Sequence, residues 1–364
     1  MAVTITPKIV NLTAQVTAAP TPSQLQQSGA LVSVGGTTLT TNAYQFVADL
    51  ATLESYLGTG GNHVELQAMG TTFFAQGSGV GVYLLELGTQ ATDSAAITAQ
   101  ETWITDNPDV FYAYLVPESW DTNAAAALNT MAANYSSATG KTYFFVTTTT
   151  TNMATYLNTK SVFALVPAST APATEFTCAF PFYQWLVNNP KAATPLAPMS
   201  YRYGYGVTAW DPKNNEATIT NILSNYTNLV YPGSEGGLSN SCLFKGMVES
   251  GTQASWWYGI DWMQIQVKQA LAAAILNGSN SNPPLLYNQN GINTLQKVAQ
   301  NVANSAVTFG CALSAVISAT SFADYTTANP NDYAAGIYDG LSATVVGQNG
   351  FLSITFALDA VQFA

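Results

Sequence analysis

Four apolar runs, "VYLLEL" (82–87), "VFYAYLVP" (110–117), "TYFFVTTTT" (142–150) and "SVFALVPA" (161–168), succeed one another roughly every thirty residues and alternate with helical stretches. The intervening segments are "TDSAAITAQETWITDNP", "DTNAAAALNTMAANYSS" and "NMATYLNT". Parallel neighbouring strands need a crossover between them, so strands that alternate with helices predict a parallel, doubly wound sheet. The fold class expected is therefore α/β in a mixed α+β chain. The threonines at 147–151 are expected to close the third strand and cap the next helical segment.

Upstream of the first run, "FFAQGSGVGVYLLELG" places Gly77, Gly79 and Gly81 within five positions. A glycine turn holds phosphate when it comes after a strand and opens a helix, because the free N–H groups of the helix N-terminus then face the anion. Here the order is reversed. "FVADLATLESYLG" and "HVELQAMGTTFF" read as helices, with Val47, Leu50, Leu53 and Leu57, then Leu66, Met69 and Phe73, at spacings of three and four. The glycines thus end a helix and lead into a strand, which predicts a cap and no nucleotide cofactor.

Of the 364 residues, 48% are hydrophobic and only 8% charged, whereas ordinary soluble domains carry roughly 25% charge. The surface must then be Thr, Asn, Ser, Gln and Ala. Such a surface suits a protein packed against copies of itself. With Lys+Arg at 9 against Asp+Glu at 20 and a net charge of −11, direct nucleic-acid binding is not expected, since phosphates are neutralised by Lys and Arg.

The opening "MAVTITPKIVNL" lacks the basic and apolar regions of a secretory signal. Cys178, Cys242 and Cys311 are too scattered for a CxxC metal pair or a disulfide framework, and are expected as buried free thiols. The uncharged stretch "SAVTFGCALSAVISATSFA" contains Gly310 and many hydroxyls and lacks basic flanks, so membrane insertion is not expected. His63 is the sole histidine, which rules out two-His metal sites and makes it the sole candidate base for a serine or cysteine triad. Its place in "GTGGNHVELQ" reads as a helix cap, and Glu65 and Glu86 read as a helix-capping and a strand-edge carboxylate. No catalytic residue, cofactor or metal ligand is assigned.

After Pro167 the character of the chain changes to "PASTAPATEF" and "NNPKAATPLAPMSYRYGYG", rich in Pro, Gly and aromatics. Further on, Asp261 and Gln264 have the spacing of a capping box at a helix start. Ile260, Met263, Val267, Leu271 and Ile275 then form a stripe, ended by Asn277 and Gly278. "PPLLYNQNG" leads to a second helix opening at Gly291 and striped by Ile292, Leu295, Val298 and Val302.

This helix–turn–helix segment resembles the C-terminal core of contractile tail sheath proteins of bacteriophages and related injection systems. The residues that carry the likeness are Gly259, Ile260, Asp261, Trp262, Pro284, Tyr287, Gly291 and Ile292. Family members usually have proline directly before tyrosine, whereas Leu285 and Leu286 intervene here. Phe73, Phe74, Gly77, Gly79 and the strand from Val82 to Leu87 match a second family pattern, without the arginine often found in that strand.

The resemblance implies a non-enzymatic structural subunit of the virion, a phage tail assembled in the host bacterial cytoplasm. Such subunits stack as hexameric rings in a helical assembly around a tail tube and contract for genome ejection. The implied partners are other copies of the chain, the tube protein, the baseplate and the tail terminator. The implied organisation is an N-terminal arm (1–20), an α/β domain (21–170), a Pro/aromatic-rich linker (171–205), a C-terminal core (206–349) and a C-terminal arm (350–364). The arms are expected to add strands to neighbours through Val3, Ile5, Ile9, Phe351, Ile354 and Phe356. Alternative readings are another self-assembling virion or surface protein (tube, capsid or adhesin), or an α/β enzyme.

Overall fold

The computed structural model describes residues 22–233 and 240–353. Six strands form the central sheet: β1 (Gly29–Ser33), β2 (Tyr44–Val47), β3 (Val82–Glu86), β4 (Ala113–Leu115), β5 (Tyr143–Thr147) and β6 (Val162–Leu165). Their order is β2-β3-β1-β4-β5-β6, and every pair is parallel except β2 with β3. Every residue of β1, β4, β5 and β6 is buried, because helices cover both faces. That is why these strands read as continuous apolar runs instead of alternating ones.

On one face lie α1 (Leu50–Tyr56), α2 (His63–Ala75) and α5 (Ala179–Leu186), with Leu53, Leu66, Met69, Phe73, Phe182 and Trp185 packed on Leu31, Leu84 and Phe145. The other face carries α3 (Asp93–Asp106) and α4 (Glu118–Ala133), with Ile97, Trp103, Leu128 and Met131 against Ala30, Val32, Phe144 and Val146. The doubly wound arrangement expected from the rhythm is thus present. Three local readings differ. Val47 belongs to the antiparallel edge strand and not to the first helix. "NMATYLNT" makes a 3-10 turn, Met153–Tyr156. Helix α5, buried at all but Gln184, falls inside the stretch expected as a linker, where its aromatic residues form core.

Past the sheet, α6 (Glu216–Ser224) and the hairpin of β7 (Leu229–Gly233) and β8 (Asn240–Phe244) form a small unit. It continues from the edge of β6 through Asn228, whose amide donates to Ala164 O and whose carbonyl accepts from Val166 N. The chain then enters α7 (Ala254–Ser279), about 40 Å long at 1.5 Å per residue. α7 begins seven residues before Asp261, so Asp261 is not a helix cap. The aromatic start "ASWWYG" is helical because Ala254 and Tyr258 are buried in the α/β core.

Helix α8 (Gln289–Thr308) starts at Asn288, whose Oδ1 accepts from Gly291 N at 3.0 Å. It packs beside α7 and under the antiparallel hairpin of β9 (Ala312–Ala319) and β10 (Leu341–Gly347), with α9 (Phe322–Ala328) and α10 (Pro330–Ala335) between the two strands. The buried face of α8 is Ile292, Ala299, Ala303 and Ala306, rotated from the expected stripe so that small side chains meet the hairpin. Ile275, at the far end of the α7 stripe, is 49% exposed. The uncharged stretch 305–323 breaks at Gly310 into the end of α8 and β9, and among the described residues no helix is long and apolar enough to cross a membrane.

Candidate functional site

In an open parallel sheet the crevice outside the strand carboxyl ends, where strand order reverses, is where ligands bind. Here that point lies between β1 and β4. It opens as a crevice of about 560 Å³ lined by Val34, Asn62, Glu65, Asp93, Glu118 and Asn123, among others.

Next to this point, at the carboxyl ends of β1 and β3, a set of backbone N–H groups is already used by the chain itself. Gly35 and Gly88, at φ +69° and +73°, aim their N–H groups at Glu86 Oε1, both at 2.7 Å. Glu86 Oε2 accepts from Ser33 Oγ (2.6 Å), Thr37 Oγ1 (2.7 Å) and Thr37 N (3.1 Å). Glu86 is 2% exposed. It is neither a strand-edge nor a solvated carboxylate; it fills the nest of backbone N–H groups that would otherwise hold an external anion.

The helix N-termini around the crevice are answered in the same way. Glu65 Oε1 accepts the Glu118 amide at 2.7 Å, so a residue of α2 caps α4. Burial, the dominant cause, pushes the Glu65 carboxyl up to about 7. Asp93, at the start of α3, accepts from Ser119 Oγ and Asn123 Nδ2 on α4. Among the described residues no Lys, Arg or His lines the crevice. His63 Nδ1 donates to Gly60 O at 2.9 Å, which turns the ring onto its own loop. The three cysteines are buried free thiols whose ionisation burial holds above the usual range.

The residues singled out by the motifs occupy packing positions. Gly79 N donates to Tyr183 Oη at 3.0 Å, and a Cβ on Gly77 would lie 2.8 Å from that oxygen. The glycine turn is therefore pressed onto α5. Asp261 is fully buried in the first third of α7, where its Oδ2 accepts from Tyr112 and Tyr143. Trp262 packs edge-to-face on Phe309. Tyr287 meets Phe322, Tyr333 and Tyr338, three residues downstream of Pro284 in the α7–α8 turn. A Cβ on Gly291 would lie 1.9 Å from Leu286 O, so this turn requires glycine there. Of the expected arm residues, Val3, Ile5, Ile9, Ile354 and Phe356 lie outside the described residues, and Phe351 is 79% exposed.

The most open feature is the β9–β10 hairpin. Leu313, Val316 and Val346 are 63%, 57% and 49% exposed. Its register pairs Ser314 with Val346, Val316 with Thr344 and Ser318 with Ser342, and Thr320 N donates to Gly340 O. Bonded and non-bonded pairs alternate in an antiparallel ladder, so the N–H and C=O groups of Leu341, Ala343 and Val345 point away from β9. Among the described residues nothing bonds to them. Sequence reading placed no acceptor edge, because β9 is rich in Ser and Ala and 21 residues separate it from β10.

No protein-family model and no curated protein matches the chain. Solved structures do. The helical sheath of the anti-feeding prophage in its contracted state superposes with a TM-score of 0.64 at 12% identity, covering 99% of this chain and 100% of that one. A chain of the six-fold symmetrised anti-feeding prophage baseplate gives 0.62 at 10% identity, covering 98% and 100%. A sheath tail protein of Listeria innocua gives 0.52 at 10% identity, covering 80% and 88%. The chain has, over almost its whole length, the fold found in these sheath and baseplate structures.

Proposed function

We propose that this protein is the subunit of a contractile tail sheath, a structural and not a catalytic component. Copies stack as hexameric rings around a tail tube, assemble extended in the host bacterial cytoplasm, and contract to drive the tube through an envelope for genome ejection. The observation that carries this reading is the likeness over 99% of the chain to a helical sheath subunit. A shared domain alone would not extend through the C-terminal hairpin. Beside the switch point Glu86 fills its own nest of backbone N–H groups, and the crevice is lined by Glu65, Asp93 and Glu118 with no basic side chain among its described lining residues, which supports a structural role.

The hairpin supplies the joint. An unpaired strand edge templates strand addition and is an aggregation hazard when left open. Strand addition keeps neighbours linked by directional backbone bonds while the surfaces around them slide, which suits two packings of one subunit. Tube, baseplate and terminator are the further partners of the assembly. The helical hairpin of α7 and α8 offers the tube a surface with Lys268 and Lys297 exposed and no acid between residues 262 and 323, on a chain that is otherwise strongly acidic.

Negative-stain electron microscopy of the purified full-length chain at rising concentration tests the reading. Tubes or stacked rings with a central hole are expected. Monomers or dimers that persist at high concentration would overturn it.

A further inference from the structure

β10 ends at Gly347, and the chain that follows is laid across the start of α7. Gly347 is set against the Trp256 ring, where an added Cβ would lie 2.1 Å from Nε1, and a Cβ on Gly350 would lie 2.5 Å from Pro198 Cβ. Glycine lets the backbone run this close to its neighbours. Gln253, the residue before the first turn of α7, makes no side-chain bond to its own helix. Its amide goes to Gly350 instead. Oε1 accepts from Gly350 N at 2.7 Å and Nε2 donates to Gly350 O at 2.9 Å. A primary amide carries a donor and an acceptor side by side, so it closes both backbone groups of one residue, as a strand partner would. Gln253 is buried, which shields the pair from water. Two residues further on, Tyr201 Oη donates to Leu352 O.

Gln253 stands at the end of a continuous line of bonds into the central sheet. Ala254 N donates to Gly246 O at 2.9 Å, Met247 N donates to Asn228 Oδ1 at 2.8 Å, and Asn228 Nδ2 donates to Ala164 O in β6 at 2.9 Å. Tyr201 is tied in turn to β8, its N donating to Leu243 O at 2.8 Å. A pull on the chain beyond residue 353 therefore meets Tyr201 and Gln253 before it meets β10. Without them it would fall on the last rung of the hairpin, Gly347 with Ala312, where a bulge between Val346 and Gly347 already breaks the register. A two-stranded hairpin is marginal on its own. We infer that Gln253 is a clip that carries tension on this end of the chain past the β9–β10 hairpin and into the parallel sheet. From the sheath reading the inference takes only that this end is pulled while subunits move; the clip itself is a property of the single chain. The hairpin keeps its ladder while the tension lasts.

The test is single-molecule pulling on the full-length chain at constant force. The native thiols are buried, so one handle goes on Thr98→Cys, exposed on α3, and the other on a peptide tag fused after residue 364. The first extension is expected to release up to about 140 Å, the length of residues 312–350 when fully extended. In Gln253→Ala the lifetime before that extension should shorten roughly thirtyfold, as the loss of two shielded hydrogen bonds implies. Gly350→Ala keeps Gln253 but forces the chain off Pro198, and should shorten the lifetime as well. With the second handle moved to Asn301→Cys, exposed on α8, the pull does not cross the clip, and neither change should alter the lifetime. Equal lifetimes of the parent and either variant in the first geometry would overturn the inference. So would equal shortening in both geometries, the signature of a general loss of stability. Tubes in the microscope together with either of these outcomes would leave the sheath reading standing and remove only the clip, and shortening confined to the first geometry in a chain that forms no tubes would do the reverse.

Discussion

Tyr112 donates its hydroxyl to Asp261 Oδ2 across 2.8 Å, joining the strand that enters the middle of the sheet to the N-terminal third of α7, 149 residues later. Tyr143 donates to the same oxygen at 2.7 Å. Asp261 is fully buried, and burial pushes its carboxyl up from 3.8 to about 6. The opposing pull comes first from Lys160, which donates to Ser137 O and Gly140 O and stands 4.3 Å from the centre of the Trp257 ring. A raised carboxyl contributes stability that is complete below its unfolded value and lost as pH rises through the folded one. The parent chain should therefore lose about 2 kcal/mol relative to Asp261→Asn between pH 4 and pH 7. Asn keeps an acceptor for both tyrosines, whereas Asp261→Ala strands two buried hydroxyls and should cost about 3 kcal/mol at pH 7. Urea unfolding of the three chains across pH checks both statements.

Glu86 is an anion supplied by the chain to its own nest. Glu86→Ala should cost about 3 kcal/mol, because three backbone N–H groups and two hydroxyls lose their acceptor inside the fold. The same change exposes an anion site. Added inorganic phosphate should raise the melting temperature of the variant and leave that of the parent unchanged. Equal responses of the two chains in a thermal melt would show that the nest does not bind anions.

Gly259 and Gly336 separate crowding from backbone strain. A Cβ on Gly259 would lie 2.2 Å from Cys311 O, where α7 crosses the turn into β9 and the obstacle is backbone. Gly259→Ala should cost about 3 kcal/mol or more. Gly336 closes α10 at φ +73° with nothing within 4 Å of its added Cβ, so Gly336→Ala should cost only about 1 kcal/mol. Denaturant midpoints measured side by side decide the ranking.

The parallel sheet was legible because strands buried on both faces leave long apolar runs that the intervening helices punctuate. β1, "GALVS", was not seen because its five residues include glycine, alanine and serine and carry little β signal of their own. Their burial is decided by neighbours on both sides. Asp261 shows the same limit at the motif level. Its spacing to Gln264 fits a capping box, but burial of Ala254 and Tyr258 under the α/β core extends the helix past it. Glu86 was invisible for a different reason. Its role depends on backbone groups up to fifty-one residues away, and a single carboxylate carries no spacing of its own.

The arms make the last prediction. Among the described residues both hydrophobic layers of the sheet are built from Leu25 onward, and the end of the described chain is held by side contacts alone. Gln253 Nε2 donates to Gly350 O at 2.9 Å, Gly350 N donates to Gln253 Oε1 at 2.7 Å, and Tyr201 Oη donates to Leu352 O. Removing residues 1–16 or 350–364 should therefore leave a folded chain, with the first deletion near the parent in stability. Loss of the Gln253 pair makes the second weaker by about 1–2 kcal/mol. Neither deletion should polymerise as the parent does, since each chain has lost one of the two arms that join neighbours. Analytical ultracentrifugation of each deletion measures this, and an unchanged association state in either would mean that the copies join through other surfaces.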